Sequence, residues 1–225
     1  MISSFKRICS RQAPIGSVLE KGISIDHYCS LDLSVSNLAI ADMDISDPKN
    51  CQTYIDQVLI KKNAVVAYGG YLEKRNLYGG TPSFTKNGTV RNIHLGLDFW
   101  TAAGTKVIAP LMGKVHSFQN NAKSGDYGPT IILSHEVEGV VFYSLYGHLS
   151  LPSLVNMNVG QEFKKGATIG TLGTPDINVN YAPHLHFQII LDMEGMQGDY
   201  PGVCSVDTLD FYAKNCPDPN LLLKM

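Results

Sequence analysis

Residues 184–190 read His-Leu-His-Phe-Gln-Ile-Ile, and this short run decides the reading of the chain. Polar and apolar residues alternate strictly. In a strand, His184, His186 and Gln188 point to one face, and Leu185, Phe187 and Ile189 to the other. Two imidazoles on one face, about 6.6 Å apart along the strand, can address one site. One of the pair can bind a metal, while the other stands in a second layer ready for acid–base work.

Around this strand lies a β-rich texture. Short runs at 98–100, 106–108, 113–118, 130–134, 140–146 and 168–172 alternate with Gly, Pro and Asn turns. Strands this short, with turn signals this dense, predict a mainly β fold, an antiparallel sheet or partial barrel. The domain is expected at residues 76–191. Residues 1–75 form an N-terminal extension of mixed α/β signals, with partial alternation at 26–38. Asp47-Pro48 is a helix start, and the run KNCQTYIDQVLIKK places Tyr54, Ile55, Val58 and Leu59 at helical spacing. Residues 192–225, rich in turn residues, read as a tail packing on the domain.

The chain has 225 residues, 44% of them hydrophobic and 17% charged, enough apolar mass for a buried core. The formal net charge of -2 gives no basic excess, so general nucleic-acid binding is not expected. No run of about 18 apolar residues occurs, and no membrane span is expected. The N-terminus lacks the apolar core of a signal peptide, which favours the cytoplasm over an extracytoplasmic location. The five cysteines are odd in number and form no CxxC pair, which argues against a disulfide scaffold or a cysteine zinc knuckle.

Two further histidine patterns precede 184–190. The first is His94-Leu95-Gly96-Leu97-Asp98, and the second is Tyr146-Gly147-His148-Leu149. Fully extended, His94 and Asp98 would stand about 13 Å apart, too far to share a metal. Gly96 permits the bend that joins them, so His94 is expected in a loop and Asp98 at a strand start. Two histidines and a carboxylate make a three-ligand set with an open fourth position, the form of a catalytic zinc site. Each pattern alone is weak. His116 and His135 read as rim or packing residues, and His27 has no partner pattern.

The force lies in the order. HLGLD, GTKVIAPLMGKV, FYSLYGHL, VGQEFKKGATIGTLG and PHLHFQ, in that sequence, resemble the LytM/lysostaphin-type zinc metallopeptidases of peptidase family M23, over residues 91–190. The resemblance implies the antiparallel β fold of the LytM type, a duplicated hybrid motif with a groove across the sheet. It implies that His94, Asp98 and His186 bind zinc, and that His148 and His184 are the two non-ligand histidines of the catalytic centre. The activity implied is hydrolysis of peptide bonds by metal-activated water, on a peptide or a peptidoglycan peptide or cross-bridge. The segment TPDINVNYA departs from the Gly/Ser-rich loop usual in that position, and Tyr78 is a candidate for the family's upstream tyrosine. Asn76 and Asn87 could in principle ligate zinc in a latent form. The strings DYGPTIILSHE, DMEGMQGDYPGV and CPDPNLLL also look like an M23-like segment of fusion proteins carrying kinase-like and class III aminotransferase domains. That likeness suggests an alternative, an intracellular zinc-dependent amidase of a small-molecule pathway. A non-catalytic M23-like binding module is a third reading, disfavoured because all the ligand positions are filled.

Overall fold

The structure, a computed structural model of the chain, describes residues 1–13, 15, 17–77, 85–86, 89–178 and 180–225. Tyr78 and Asn87 lie outside the described residues. Four helices occur among them: α1 (Ile2–Arg11), α2 (Pro48–Lys62), α3 (Leu209–Asn215) and α4 (Asn220–Leu223). Besides short 3-10 turns, fourteen strands are described. The first seven are β1 (Tyr28–Ser30), β2 (Val66–Gly69), β3 (Thr85–Lys86), β4 (Thr89–Val90), β5 (Ile93–His94), β6 (Leu97–Trp100) and β7 (Lys106–Ile108). Then come β8 (Gly113–Asn121), β9 (Gly128–Val137), β10 (Val140–Gly147), β11 (Glu162–Phe163), β12 (Thr168–Thr171), β13 (His184–Ile190) and β14 (Val203–Cys204).

Eight strands form the central sheet in the order β1-β2-β6-β13-β10-β9-β8-β11. All its pairs are antiparallel except β1 with β2. Three small antiparallel sheets accompany it, β7 with β12, β5 with β14 and β3 with β4. The fold is therefore mainly β and antiparallel, as the turn density predicts. The strand at 184–190 has the predicted bounds, because a fully buried strand with strict alternation admits one register. His94 departs from expectation. It lies in the two-residue strand β5 rather than in a loop, because β14 from the tail pairs with it.

Alternation along β13 sorts the molecule into layers. Leu185, Phe187 and Ile189 enter a large core with Phe99, Phe142, Tyr146 and Val107. Phe5 and Ile8 of α1 and Leu222 and Leu223 of α4 close the same core. The opposite face carries His184, His186 and Gln188. It is covered on one side by α2, whose Cys51 and Ile55 pack with Ala67 and Trp100. The other side is covered by the tail, where Tyr200, Cys204 and Cys216 pack with Ile132 and Leu145. Between these two coverings the sheet is left open as a cleft.

Helix α2 forms where its signals place it. The Asp47 carboxylate accepts from the N–H groups of Lys49 and Asn50 at 2.9 and 3.0 Å, and Pro48 occupies the first turn. Asn63, at φ 50°, ends the helix in the left-handed region. Lys61 and Lys62 in the last turn complement the helix dipole.

Candidate metal centre and its cleft

Lateral pairing in the sheet brings the motifs together. In the β6–β13 ladder Asp98 stands opposite His186, and in the β13–β10 ladder His186 stands opposite Gly147. His148 follows Gly147 directly. His94 arrives over the bend at Gly96, which lies against β13. A Cβ at Gly96 would stand 2.7 Å from the Phe187 carbonyl oxygen and 2.8 Å from the His186 ring. Only glycine lets the chain pass there.

Three acceptor atoms converge. His94 Nε2 lies 2.8 Å from His186 Nδ1, and both lie near Asp98 Oδ1, at 3.2 and 3.1 Å. The outer hydrogen bonds assign the protons. His94 Nδ1 donates to the Gly70 carbonyl at 2.9 Å, so Nε2 is bare. Gln188 turns its Nε2 to the Pro201 carbonyl at 3.1 Å, so its Oε1 accepts from His186 Nε2 at 2.9 Å and leaves Nδ1 bare. Burial, and then the Arg75 charge, push His94 down to about 4. Burial alone would raise Asp98, but the charges of His94 and Arg75 outweigh it and hold the carboxyl well below the usual carboxylate range.

In these tautomers three lone pairs face one another in a buried space. A cation resolves that repulsion. Zinc with four ligands at 2.0–2.1 Å requires ligand atoms about 3.3 Å apart, close to the separations here. The residues fit the metal, and each histidine has the outward hydrogen bond that fixes a metal-ligating tautomer.

The carboxylate is held from behind. Arg75 Nη1 lies 2.5 Å from Asp98 Oδ2, and its Nε lies 2.5 Å from Glu73 Oε2. The guanidinium stands 5.4 Å over the Trp100 ring. Cys51 of α2 and Leu77 wall the same end of the cleft, whose volume is about 340 Å³.

His148 and His184 lie side by side in the cleft, with ring centroids 4.1 Å apart. His184 Nδ1 donates to the Ala182 carbonyl at 2.7 Å, and its ring stacks on Trp100 at 5.7 Å. His148 Nδ1 meets Asn178 Oδ1 at 3.1 Å. Both anchors come from the segment 174–182, where the sequence departs from the family pattern. Burial pushes both rings down, and for His148 the neighbouring His184 adds to the effect. His148 has φ 62°, a left-handed backbone that costs a non-glycine residue about 1–2 kcal/mol. Strain of this kind concentrates at functional sites.

The other histidines stand apart. His135 is buried, donates from Nδ1 to the Met112 carbonyl at 2.9 Å, and pairs with Ser144 at 2.6 Å. His116 is half-buried against Tyr143, and His27 is exposed. Asn76 lines a separate small pocket with Leu33 and Ile40.

Comparison with known proteins bears on this cluster. Residues 92–197 match peptidase family M23. The matched segment contains His94, Asp98, His148, His184 and His186. It also shares 39% identity over 95 residues with a Haemophilus influenzae protein named "Uncharacterized metalloprotease", covering 42% of this chain and 18% of the relative. The chain thus spans less than a fifth of that relative's length. Among solved structures, a putative M23 peptidase of Pseudomonas aeruginosa is 25% identical, with 58% of this chain and 43% of that one covered, at a TM-score of 0.39. The catalytic domain of lysostaphin from Staphylococcus simulans is 30% identical, with 56% and 81% covered, at a TM-score of 0.37. A zinc-containing peptidase from Vibrio cholerae is 26% identical, with 54% and 33% covered, at a TM-score of 0.38.

The residues behind the histidine motifs are not legible in the sequence. Gly70, Glu73 and Arg75 belong to no motif. Their one signal is the Glu-x-Arg spacing, which puts both charges on one side of an extended segment. Gln188 is legible in the sequence, since it shares the histidine face of β13 two residues after His186.

Proposed function

We propose that the chain is a zinc metallopeptidase, with His94, Asp98 and His186 as ligands and His148 and His184 as the catalytic histidines. One observation carries the reading: ligand atoms of His94, Asp98 and His186, each residue held from outside, converge in a buried cleft. When bound there, zinc supplies Lewis-acid chemistry, making water acidic near neutral pH and polarising a substrate carbonyl. His184 is neutral and donates outward through Nδ1, so its Nε2 lone pair is available to take a proton from water. His148, held alongside, would orient the water and, once protonated, give a proton to the leaving amine or stabilise the oxyanion. Trp100, Tyr127 and Tyr181 pack around the two rings and limit the water that reaches them.

In this reading the metallopeptidase unit spans 76–191, with 1–75 and 192–225 as flanks that complete its walls. The substrate class is a peptide, in the first instance a peptidoglycan peptide or cross-bridge. The modest cleft favours a second reading, a zinc-dependent amidase of small molecules, since 340 Å³ lies near the lower end for small-ligand sites. Purified protein should carry one zinc per chain, and His94→Ala or His186→Ala should lose it. His148→Ala should keep the metal and lose about 10²–10⁴ in hydrolysis. Digestion of purified peptidoglycan beside a panel of small amides, with and without chelator, separates the two substrates. Full zinc retention in both ligand variants would overturn the assignment.

A further inference from the structure

Residues 69–75 leave the central sheet at β2 and wrap the first two members of the metal cluster. Gly69 stands opposite Asp98 in the β2–β6 ladder. The Gly70 carbonyl takes the His94 Nδ1 proton. Backbone bonds then hold His94 on both sides: Leu72 N–H donates to its carbonyl at 2.8 Å, and its own N–H donates to the Glu73 carbonyl at 3.0 Å. Arg75 N–H donates to the Asn92 carbonyl at 2.9 Å. The Arg75 side chain, 1% exposed, lies between the Asp98 and Glu73 carboxylates. The other Glu73 oxygen accepts from Leu33 N–H at 3.1 Å, tying the group to the N-terminal layer. Gly70 has φ 103°, and a Cβ there would collide with the Arg75 guanidinium.

We infer that residues 69–75 are the outer layer of the metal site, with Arg75 as the positioning residue for Asp98 and Glu73 as its counter-charge. The inference rests on the zinc reading above. This segment precedes the matched residues 92–197, so the family match gives it no role. The physical case has two parts. A carboxylate free at both oxygens can rotate, whereas Arg75 on Oδ2 leaves Oδ1 alone facing the imidazoles. A bare guanidinium beside the site would oppose a cation, and Glu73 cancels that charge, so Asp98, Arg75 and Glu73 together carry the single negative charge of a lone ligand carboxylate. Arginine suits this place because its planar fork addresses two carboxylates at once, which a lysine ammonium does less well.

Zinc affinity of the full chain, stripped with chelator and measured by competition with a chromophoric chelator, tests this. Arg75→Met should weaken zinc binding about 10–100-fold, the usual effect of losing an outer-layer partner. Arg75→Lys should recover part of the loss. Glu73→Gln, which keeps the Arg75–Asp98 contact but uncovers the positive charge, should weaken zinc binding by a smaller factor. Cobalt substituted for zinc should show an altered visible spectrum in Arg75→Met, because the carboxylate ligand is no longer held in one orientation. If Arg75→Met does not fold, Glu73→Gln decides. Zinc affinities within about twofold of wild type in the folded variants, with an unchanged cobalt spectrum, overturn the inference. A wild-type chain that binds no zinc overturns the zinc reading and this inference together.

Discussion

His94, His148 and His184 are each held by an outward hydrogen bond, and burial favours their neutral forms. His135 shows the thermodynamic cost apart from the metal cluster. Burial pushes it down to about 4 from an ordinary 6.5. Between those values the unfolded chain binds a proton that the folded chain refuses, so stability is intact above pH 6.5 and falls as pH drops toward 4. His94, lowered in the same direction, adds to the slope. The urea midpoint of the chelator-treated protein should therefore fall between pH 6.5 and 4, and His135→Gln should make that decline shallower. An unchanged slope in the variant would show that His135 titrates normally in the fold. Arg75 is a different case. It is a permanent buried cation, and removing it takes away the one positive charge between the Asp98 and Glu73 carboxylates, a loss of about 3–5 kcal/mol. Nothing in its sequence surroundings marks it, because a buried ion pair is defined by which strands meet, and local pattern is silent on that.

Elements carry these residues to one place by register. The β6–β13–β10 pairing puts Asp98, His186 and Gly147 in one row across the sheet. A slip of one residue would turn each side chain to the other face. Gly96 is the tightest point of the arrangement. Gly96→Ala should lower the melting temperature and the zinc content together, since the added methyl meets the β13 backbone and the His186 ring. A variant with normal stability and full zinc would show that β5 can shift without disturbing the cluster. The sequence made β13, α2 and most of the sheet strands legible, because a strict alternation or a capped helical period is a local property. The partial alternation at 26–38 does hold a strand, the short β1, followed by an isolated bridge between Ser34 and Arg75. The sequence missed α1, which has no side-chain cap, and β2, whose four residues are too few to show a period. The ligand positions were readable as motifs. The outer layer was not, because it is assembled from three separated segments.

At the scale of the whole molecule, the N-terminal region is structural to the sheet. Strand β2 covers the edge of β6, with Ala67 opposite Trp100 and Gly69 opposite Asp98. Deleting residues 1–69 would bare that edge and uncover Ala67's partners around Trp100. Unpaired edges of this kind template association between chains. The shortened protein should run as oligomers or aggregate on size exclusion, and should hold zinc more weakly than the full chain. A monomer with full zinc affinity would show that β6 tolerates solvent on that side. The single tryptophan of the chain lies at this junction, stacked on His184 and beneath the Arg75 guanidinium. Its emission therefore comes from the cleft alone. Intrinsic fluorescence can follow zinc uptake, ligand entry or protonation of His184 in the native chain, with no dye and no background from a second indole.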